Sequence, residues 1–451
     1  MLNIEAEINA LGTHILEEAQ KQTPSIFNKN WWNGKILEYC MKHKAFKLEM
    51  FRFVDVFPAL HSDDQIRQHI EEYFIQPGLR LPSVLHIGLS FAREGITSRI
   101  ALAALKKNIH NMAKIFIAGE TPEDALNNLK KLWNEGVAFT TDLLGEKAVS
   151  EREASTHQAH YLELLDTLVQ ETKKWPSNTT LENTHEGSIP RVNISIKISA
   201  LYSQLNPLDF EESIATLKNR LRPLFQKALT HNVTLYLDME HYALKDLTLT
   251  LFKSLLEEKE FASFAHAGIV LQAYLKETED DLKNLISWCE KQNKKIYVRL
   301  VKGAYWDHEN IHAKLYNWPV PVFSKKESSD ANYEKLTILL LKNSHLIRPA
   351  FASHNVRSIA HALVYAQTLD LPKNAVEVQM LYGMAEPIKK VLVNMGYRVR
   401  DYTPIGELIP GMAYLVRRLL ENTSNESFLK QSFVDIESVD KLLKKPEVRC
   451  Y

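Results

Sequence analysis

The pattern of apolar and polar positions changes near residue 136. Before that point, apolar residues recur at helical spacing and predict helices over 5–22, 34–60, 65–74, 98–118 and 121–135. Ser62 before two aspartates, and Thr121 before Pro122, are typical helix starts. We expect residues 1–136 to form a helical N-terminal arm and α-domain, whose bulky apolar residues pack onto the rest of the chain.

From residue 137, short apolar runs alternate with helical stretches. The runs predict strands at 137–144, 192–201, 233–239, 268–274, 296–301, 350–354, 376–381 and 399–404. Helical patterns between them include 209–231, 277–292, 357–369 and 386–394. Strands that alternate with helices in this way predict an α/β fold, a (β/α)8 TIM-type barrel, over 137–433. A doubly wound sheet is the alternative, but no glycine-rich fingerprint follows the first strand.

Two segments stand outside this alternation. Residues 176–190, rich in Ser, Asn, Thr and Glu, predict a surface linker inside the first crossover. Residues 434–451 form a charged C-terminal tail, which we expect to be loose from residue 438 onward.

Composition narrows the class of protein. The chain has 451 residues, 45% of them hydrophobic, with 55 Lys and Arg against 55 Asp and Glu. The zero formal charge argues against nucleic acid as a partner. Cys40, Cys289 and Cys450 lie too far apart for a zinc motif or a disulfide framework. Glu5 and Glu7 near the start argue against a signal peptide, and we expect no membrane-spanning segment.

The predicted strand at 296–301 carries two cations, Arg299 and Lys302, inside or at the end of an apolar run. Burying an unpaired cation costs several kcal/mol, on the order of 5 or more, so both must meet partners or a ligand. Gly303 and Ala304 then permit close backbone approach, and Tyr305 and Trp306 follow. This combination predicts a ligand site at the carboxyl end of the strand.

Polar residues collect at the ends of all eight predicted strands, where the active site of such a barrel lies. They are Asp142, Glu146, Lys197, Asp238, Glu240, His241, Gln272, Arg299, Lys302, His354, Asn355, Gln379, Tyr382 and Tyr402. A single residue of this kind is more often a satisfied structural group, but polar groups on every strand favour a functional site.

The predicted helix at 410–422 gives a separate signal. Tyr414, Arg417, Arg418 and Glu421 share one helical face. One interpretation is a solvated stripe with a weak ion pair. The other is a carboxylate site, because two adjacent guanidinium groups can bind a carboxylate through bidentate hydrogen bonds.

Other chemistries have weaker support. Asp238, His241 and His354 suggest a metal site of a barrel hydrolase, but the first strand lacks histidines at alternate positions. Neither a Gly-x-Ser-x-Gly motif nor a Walker loop is present.

Several long motifs resemble the proline dehydrogenase family, and most closely the proline dehydrogenase part of bacterial bifunctional proline utilization A. They are SIKISAL at 195–201, LDME at 237–240, VRLVKGAYWD at 298–307, YGMAEP at 382–387 and YLVRRLLEN at 414–422. The helical region is similar to that family's α-domain, including FRFVDVFP at 51–58. Where the family often has Thr-His-Asn and His-Gly-Met, this chain has Ser353-His354-Asn355 and Tyr382-Gly383-Met384.

The resemblance implies a distorted barrel with non-covalent FAD, oxidation of L-proline to Δ1-pyrroline-5-carboxylate, and electron transfer to a membrane quinone. It implies either a cytoplasmic protein or one peripheral to the inner face of the cell membrane. A pyrroline-5-carboxylate dehydrogenase is the implied partner, whether on a separate chain or on the same longer chain. DNA binding is not expected, because no ribbon-helix-helix segment precedes the α-domain.

The resemblance also implies roles for single residues. Arg417 and Arg418 would bind the proline carboxylate, with Glu146 paired to Arg417 over the substrate. The remaining substrate pocket would comprise Lys197, Asp238, Ala304, Tyr305, Leu381 and Tyr402. The cofactor positions would be Asp238, Gln272, Arg299, Val301, Gly303, Ala304, Trp306, Ser353, His354, Leu381, Arg418, Glu421, Ser427 and Phe428. Arg299 would reach the reactive nitrogen of the flavin, and Arg299, Lys197, Asp238 and Tyr402 would be the catalytic group.

Two alternatives stay open. A barrel flavoenzyme for hydroxyproline or a folate would keep the cofactor and change the substrate. A non-catalytic barrel used as a scaffold would bind no flavin.

Overall fold

The computed structural model describes residues 4–22, 43–56, 60, 62–76, 114, 116–145, 147–407 and 442–446. The predicted helices at 98–118 and 410–422 lie wholly or mostly outside these residues, as do Glu146, Arg417, Arg418, Glu421, Ser427 and Phe428. No helix in these ranges is both long enough and apolar enough to cross a membrane.

A closed barrel of eight parallel strands forms the centre of the molecule. The strands are β1 Val137–Leu143, β2 Asn193–Ile196, β3 Thr234–Leu237, β4 Ala267–Gln272, β5 Ile296–Val301, β6 Ile347–Ala352, β7 Glu377–Leu381 and β8 Arg398–Ile405. They pair in chain order, and β1 closes the barrel against β8 from Val137 opposite Val399 to Leu143 opposite Ile405. The predicted (β/α)8 barrel is confirmed.

Within the described residues, helices precede and separate these strands. They are α1 Ile4–Lys21, α2 Lys44–Val56, α3 Asp63–Phe74, α4 Pro122–Asn134, α5 Glu151–Thr172, α6 Phe210–His231, α7 Lys245–Leu256, α8 Thr278–Gln292, α9 Trp306–Leu315, α10 Lys326–Lys342, α11 Val356–Thr368 and α12 Glu386–Asn394. The N-terminal part is helical, as predicted. The division at 136 and 433 stays a prediction.

Local chemistry explains several boundaries. Ser62 and Gln65 form a reciprocal capping box that starts α3, and Thr121 caps α4 with Pro122 at its first position. Asn232 and Asn293 end α6 and α8 in left-handed conformation, immediately before β3 and β5. These caps turn the chain back into the barrel within one or two residues.

The N-terminal helices pack in two places. Ile15, Leu16 and Ala19 of α1 join the main core around the barrel, and the helix lies against α11 and α12. Between α2 and α3, Phe53 packs with Ile66 and Ile70 in a separate small cluster within the described residues. The expectation that these helices pack onto the rest of the chain therefore holds for α1, whereas the contacts of α2 and α3 within the described residues include this shared cluster.

Four sequence expectations need correction. The tail expected to be loose from residue 438 is packed at 442–446, where Leu443 is buried in the main core and its carbonyl accepts from Arg357. The run at 192–201 is a strand only to Ile196, and Ile198–Ala200 forms a 3-10 turn that carries the chain out of the barrel. The strand expected at 350–354 begins at Ile347 and ends at Ala352. Residues 176–190 contain a helical turn, Thr179–Glu182, and a ribbon of Asn183–Thr184 with Gly187–Ser188, where a linker was expected.

This ribbon covers the amino-terminal end of the barrel. Glu186 forms ion pairs with Lys295, just before β5, and with Arg348 of β6. Arg398 of β8 donates to the Asn183 carbonyl at 3.1 Å. Because the ribbon lies over this end of the strands, the opposite, carboxyl end is where a ligand can enter.

Candidate active site

The interior of the barrel is polar, although such interiors are usually filled by branched apolar side chains. In β5, β7 and β8, and from β3 into the residue after it, polar residues recur at every second position, and alternate residues of a strand face the same side. These pairs are Tyr236 and Asp238, Tyr297 and Arg299, Glu377 and Gln379, and Arg400 and Tyr402. The pattern builds a column of hydrogen-bonded side chains up the barrel axis.

Arg299 of β5 lies at the centre of this column and is only 3% exposed. Its Nε donates to Gln379 Oε1 at 2.6 Å, its Nη1 to Asp238 Oδ1 at 2.7 Å and its Nη2 to Ser195 Oγ at 3.0 Å. The guanidinium carbon also lies 4.3 Å from the centre of the Tyr236 ring and 5.4 Å from that of Tyr402. This buried cation is therefore held by charge, by hydrogen bonds and by two aromatic faces.

Asp238 connects Arg299 to Tyr402. One carboxylate oxygen accepts from Arg299, and the other accepts from the Tyr402 hydroxyl at 2.7 Å. Asp238 directly follows β3, whereas Arg299 and Tyr402 belong to β5 and β8. The structure thus brings together three of the four residues predicted to be catalytic.

Lys197, the fourth residue of that group, follows β2 and forms an ion pair with Asp142 of β1. Asp142 is fully buried, and burial raises the pKa of its carboxyl although the Lys197 ammonium opposes the shift. One Asp142 oxygen accepts no hydrogen bond from the described residues. Lys197 is therefore oriented at the carboxyl end of the barrel by a carboxylate that has spare acceptor capacity.

Glu240, two residues beyond Asp238, closes one side of this end. It accepts from the Ser199 backbone nitrogen at 3.2 Å and the Ser199 hydroxyl at 2.5 Å. Burial raises the pKa of the Glu240 carboxyl. The 3-10 turn after β2 is thereby tied to β3.

Gln272 at the end of β4 has the features of a cofactor contact. Its amide nitrogen donates to the Met239 and Glu240 carbonyls, both at 3.2 Å. Its buried Oε1 receives no hydrogen bond from any part of the chain that the structure describes. A buried acceptor of this kind fits a ligand that carries an N–H or O–H donor, as the flavin ring and the ribityl chain of FAD do.

Gly303 permits an unusually close approach beside Gln272. Its φ is +127°, and a Cβ there would lie 2.3 Å from the Tyr274 ring. Tyr274 is itself fixed by a backbone hydrogen bond from its nitrogen to the Lys302 carbonyl at 2.8 Å. Any larger residue at position 303 would push this aromatic wall away from the end of β5.

His354 follows β6 and contacts the end of β7. Its Nε2 accepts from the Leu381 backbone nitrogen at 3.0 Å, so the ring proton is placed on Nδ1. Burial lowers the pKa of His354 to about 3, which keeps the ring neutral near pH 7. A neutral ring with an Nδ1–H donor fits an acceptor atom of a cofactor.

The other predicted residues lie at or near the same end of the barrel. Val301 and Leu381 are the last residues of β5 and β7, and Ala304 and Tyr305 lie directly before α9. Trp306 starts α9 and donates from its indole nitrogen to the Phe323 carbonyl at 2.8 Å. Ser353 Oγ accepts from the Asn355 backbone nitrogen at 3.1 Å.

Lys302, the other cation of the β5 motif, has a structural partner. It forms an ion pair with Asp330 of α10, which also contacts Lys326 at 3.2 Å. Burial lowers the pKa of the Lys302 amine. Of the two possibilities left by the sequence, an ion pair or a cofactor contact, the structure shows the ion pair.

Two of the three residues weighed as a possible metal site have other partners. Asp238 is engaged by Arg299 and Tyr402, and His354 by a backbone nitrogen. Within the described ranges, no group of three or more His, Cys, Asp or Glu side chains is arranged to hold a metal ion.

The sequence did not single out Ser195 and Tyr236, and it marked Asp142 and Gln379 only as polar residues at strand ends, without a specific role. Ser195 and Tyr236 lie two residues before Lys197 and Asp238, and Gln379 two residues before Leu381. Because inward positions alternate along a strand, the two-residue spacing was the available signal. Arg299 then selects its partners among the inward positions by hydrogen bonding.

The fold and this site define a barrel enzyme of the (β/α)8 class. The family model for proline dehydrogenase matches residues 125–431, and that for the proline utilization A N-terminal domain matches residues 5–116. The chain belongs to the proline dehydrogenase family. This assignment confirms the resemblance and the enzyme class expected from the motifs.

Two individual relatives support this family assignment. The bifunctional protein PutA of Klebsiella aerogenes is 30% identical over 342 residues, which are 74% of this chain and 25% of that protein. The proline dehydrogenase of Deinococcus radiodurans is 29% identical over 329 residues, 73% of this chain and 92% of that protein. The chain thus spans about a quarter of the PutA relative.

A solved structure is also similar. It is the crystal structure of proline utilization A from Bdellovibrio bacteriovorus inactivated by N-propargylglycine, with a TM-score of 0.89 and 47% identity. The match covers 99% of this chain and 44% of that one.

Proposed function

We propose that this chain oxidises L-proline to Δ1-pyrroline-5-carboxylate with non-covalently bound FAD and passes the electrons to a membrane quinone. The observation that carries the proposal is the Arg299–Asp238–Tyr402 cluster, buried at the ligand-facing end of a proline dehydrogenase barrel. The proposal also places the protein in the cytoplasm, with contact at the inner face of the cell membrane. Its proposed partner is a pyrroline-5-carboxylate dehydrogenase.

The residues present fit FAD. Gln272 Oε1 offers a buried acceptor and the His354 ring a donor. Gly303 leaves the adjoining backbone without a side chain. When bound, FAD supplies the two-electron acceptor for the hydride that leaves the proline carbon beside the nitrogen. Arg299 places a fixed positive charge where the site must stabilise developing negative charge.

The chain's own residues bind and orient the substrate. Arg417 and Arg418 would hold the carboxylate, so that the opposite edge of the ring would face the oxidising centre. Glu146 would pair with Arg417 over the bound amino acid, and Tyr402 with Ala304, Tyr305 and Leu381 would enclose the ring. The remaining cofactor contacts would come from Val301, Trp306, Ser353, Glu421, Ser427 and Phe428.

The bonds broken and formed in this oxidation balance without any further catalytic group. A C–H bond and the N–H bond of the neutral amine break, a C=N double bond forms, two electrons leave with the hydride, and the proton passes to solvent. Lys197, held by Asp142, would line the substrate pocket.

Turnover with a panel of secondary amines tests the substrate. L-proline should be oxidised with a quinone acceptor, and hydroxyproline much less, because Tyr402 leaves little room beside the ring. Arg418→Met should raise the Michaelis constant for proline on the order of 100-fold or more while FAD stays bound, since a bidentate contact to the carboxylate is lost. An unchanged Michaelis constant in this variant would contradict the carboxylate assignment.

A further inference from the structure

We infer that Gln379 is a positioning residue that sets the plane and direction of the Arg299 guanidinium. The inference rests on the proposed function, in which Arg299 acts on the cofactor and Gln379 touches neither cofactor nor substrate. Gln379 is 2% exposed.

Three hydrogen bonds fix the guanidinium plane. Asp238 and Ser195 accept from the two terminal nitrogens, and Gln379 accepts from Nε at the shortest of the three distances, 2.6 Å. Three acceptors that surround a planar group define its plane, whereas two leave a rocking motion about the line that joins them. The Tyr236 ring, 4.3 Å away, supports one face.

The amide of Gln379 can serve only in one orientation. Its Nε2 donates to Glu377 Oε1 at 2.7 Å. Glu377 is held by Arg400 at 2.8 and 2.9 Å and by Arg398 at 3.0 Å. Although burial opposes it, these arginines lower the pKa of Glu377 to about 2, so this carboxylate only accepts hydrogen bonds.

A series of hydrogen bonds with fixed donors and acceptors therefore runs from the base of the barrel toward Arg299. Two arginines fix Glu377, Glu377 fixes the amide nitrogen of Gln379, and the amide oxygen must then face Arg299. Because three of the five N–H donors of Arg299 have partners among the described residues, one donor on each terminal nitrogen is left for a bound group. Gln379 decides where these two donors point.

Gln379→Met tests the inference in FAD-loaded enzyme, because methionine keeps the length of the side chain and removes both hydrogen bonds. We expect kcat to fall about 10- to 100-fold, as for a misaligned catalytic group. The Michaelis constant for proline should change less than about threefold, because the carboxylate contacts remain. The midpoint potential of the bound flavin should become more negative, since the stabilising charge of Arg299 is no longer aimed at it.

Gln158→Met is the matched control. Gln158 of α5 also accepts from an arginine, Arg220 Nη1 at 3.3 Å, and donates to a carbonyl at 2.8 Å, but it lies outside the barrel. The Gln158→Met variant should keep the wild-type kcat and the wild-type midpoint potential of the flavin. If Gln379→Met does not fold, Gln379→Ser, which leaves room for water, carries the same measurements with smaller expected shifts in the same directions.

Two outcomes would overturn the inference. One is a folded Gln379 variant with wild-type kcat and flavin potential. The other is a loss of melting temperature with no change in either quantity, which would make Gln379 a structural residue only. If wild-type enzyme binds FAD but is not reduced by proline, the proposed substrate fails, and the flavin potential still decides the role of Gln379.

Discussion

Arg299 is surrounded by five side chains that four other strands of the barrel position. Its partners are Ser195, Tyr236, Asp238, Gln379 and Tyr402. A buried cation without such partners would carry a desolvation penalty of several kcal/mol, on the order of 5. The complete set of contacts makes Arg299 a rigid charge, which is the property that electrostatic catalysis requires.

The Tyr402 hydroxyl provides the first test at this scale. Tyr402→Phe removes the 2.7 Å hydrogen bond to Asp238. A hydrogen bond to a charged group contributes about 1.5–3 kcal/mol, so kcat/KM for proline should fall about 10- to 100-fold. The measurement is steady-state turnover, with FAD occupancy read from the visible spectrum.

Tyr333→Phe is the control for this variant. The Tyr333 hydroxyl is buried and makes no hydrogen bond within the described residues, so its removal should be neutral in activity. Equal losses of kcat/KM in the two variants would contradict the specific role given to Tyr402.

The sequence revealed which residue was unusual but not how it is accommodated. Arg299 was visible as a cation in an apolar run, and its need for partners followed from desolvation alone. The partners could not be chosen, because Asp238, Gln379 and Ser195 lie 61, 80 and 104 residues away. For Lys302 the sequence left two possibilities, and only the position of Asp330 on α10 decides between them.

At the scale of elements, a buried ion pair joins α12 to β8. Lys389 Nζ lies 2.7 Å from Asp401 Oδ2, and the two side chains are 1% and 0% exposed. Lys389 also donates to the Leu381 carbonyl at 3.1 Å. The pair therefore fixes α12 against the ends of β7 and β8, next to the site.

Removal of one member of this pair should destabilise the protein strongly. Asp401→Leu leaves the Lys389 ammonium buried without its main partner, and the free energy of unfolding should fall by about 3–5 kcal/mol. The double variant Lys389→Met with Asp401→Leu should recover most of that loss, because no charge is then buried. Urea unfolding measures both, and a double variant no more stable than Asp401→Leu alone would contradict the explanation.

The α11 helix gives a prediction about pH. Burial, with smaller effects of Arg357 and Lys445, lowers the pKa of His361 to about 3 in the folded protein, against about 6.5 for an unfolded histidine. Between these values the unfolded chain binds one more proton, so stability falls as pH decreases through this window. His361 alone contributes at most about 1.4 kcal/mol per pH unit.

The comparison variant is His361→Gln. Urea unfolding is measured at pH 6.5, 6.0, 5.5 and 5.0, on the order of half-unit steps. The free energy of unfolding of this variant should fall less steeply with decreasing pH than that of wild type. Exposed His345→Gln serves as the control and should keep the wild-type slope. A wild-type slope in His361→Gln would mean that this ring is not held neutral in the folded state.

Elements were predictable where a repeating pattern marked them. All eight strands and the helices between them follow from alternation of apolar runs with helical spacing. The 3-10 turn at Ile198–Ala200 was read as strand, because its residues are as apolar as those of β2. The ribbon in 176–190 was missed because its order comes from Glu186 contacts with Lys295 and Arg348, distant in sequence.

For the whole molecule, Arg357 joins the two ends of the described chain to the barrel. It forms ion pairs with Glu5 of α1 and with Glu334 of α10, and it donates to the Leu443 carbonyl at 3.0 Å. Gly12 of α1 also lies so close to Leu443 that an added Cβ would be 2.4 Å from its side chain. The N-terminal helix and residues 442–446 are therefore parts of one packed unit with the barrel.

The proposed activity depends on a bound flavin that proline can reduce. The direct test is anaerobic addition of L-proline to the purified, FAD-loaded protein while the visible flavin absorption is followed. We expect the flavin band to bleach with proline and to return when a quinone is added, whereas D-proline leaves it unchanged. A protein that stays colourless after incubation with FAD, or a bound flavin that L-proline does not bleach, would contradict the central claim.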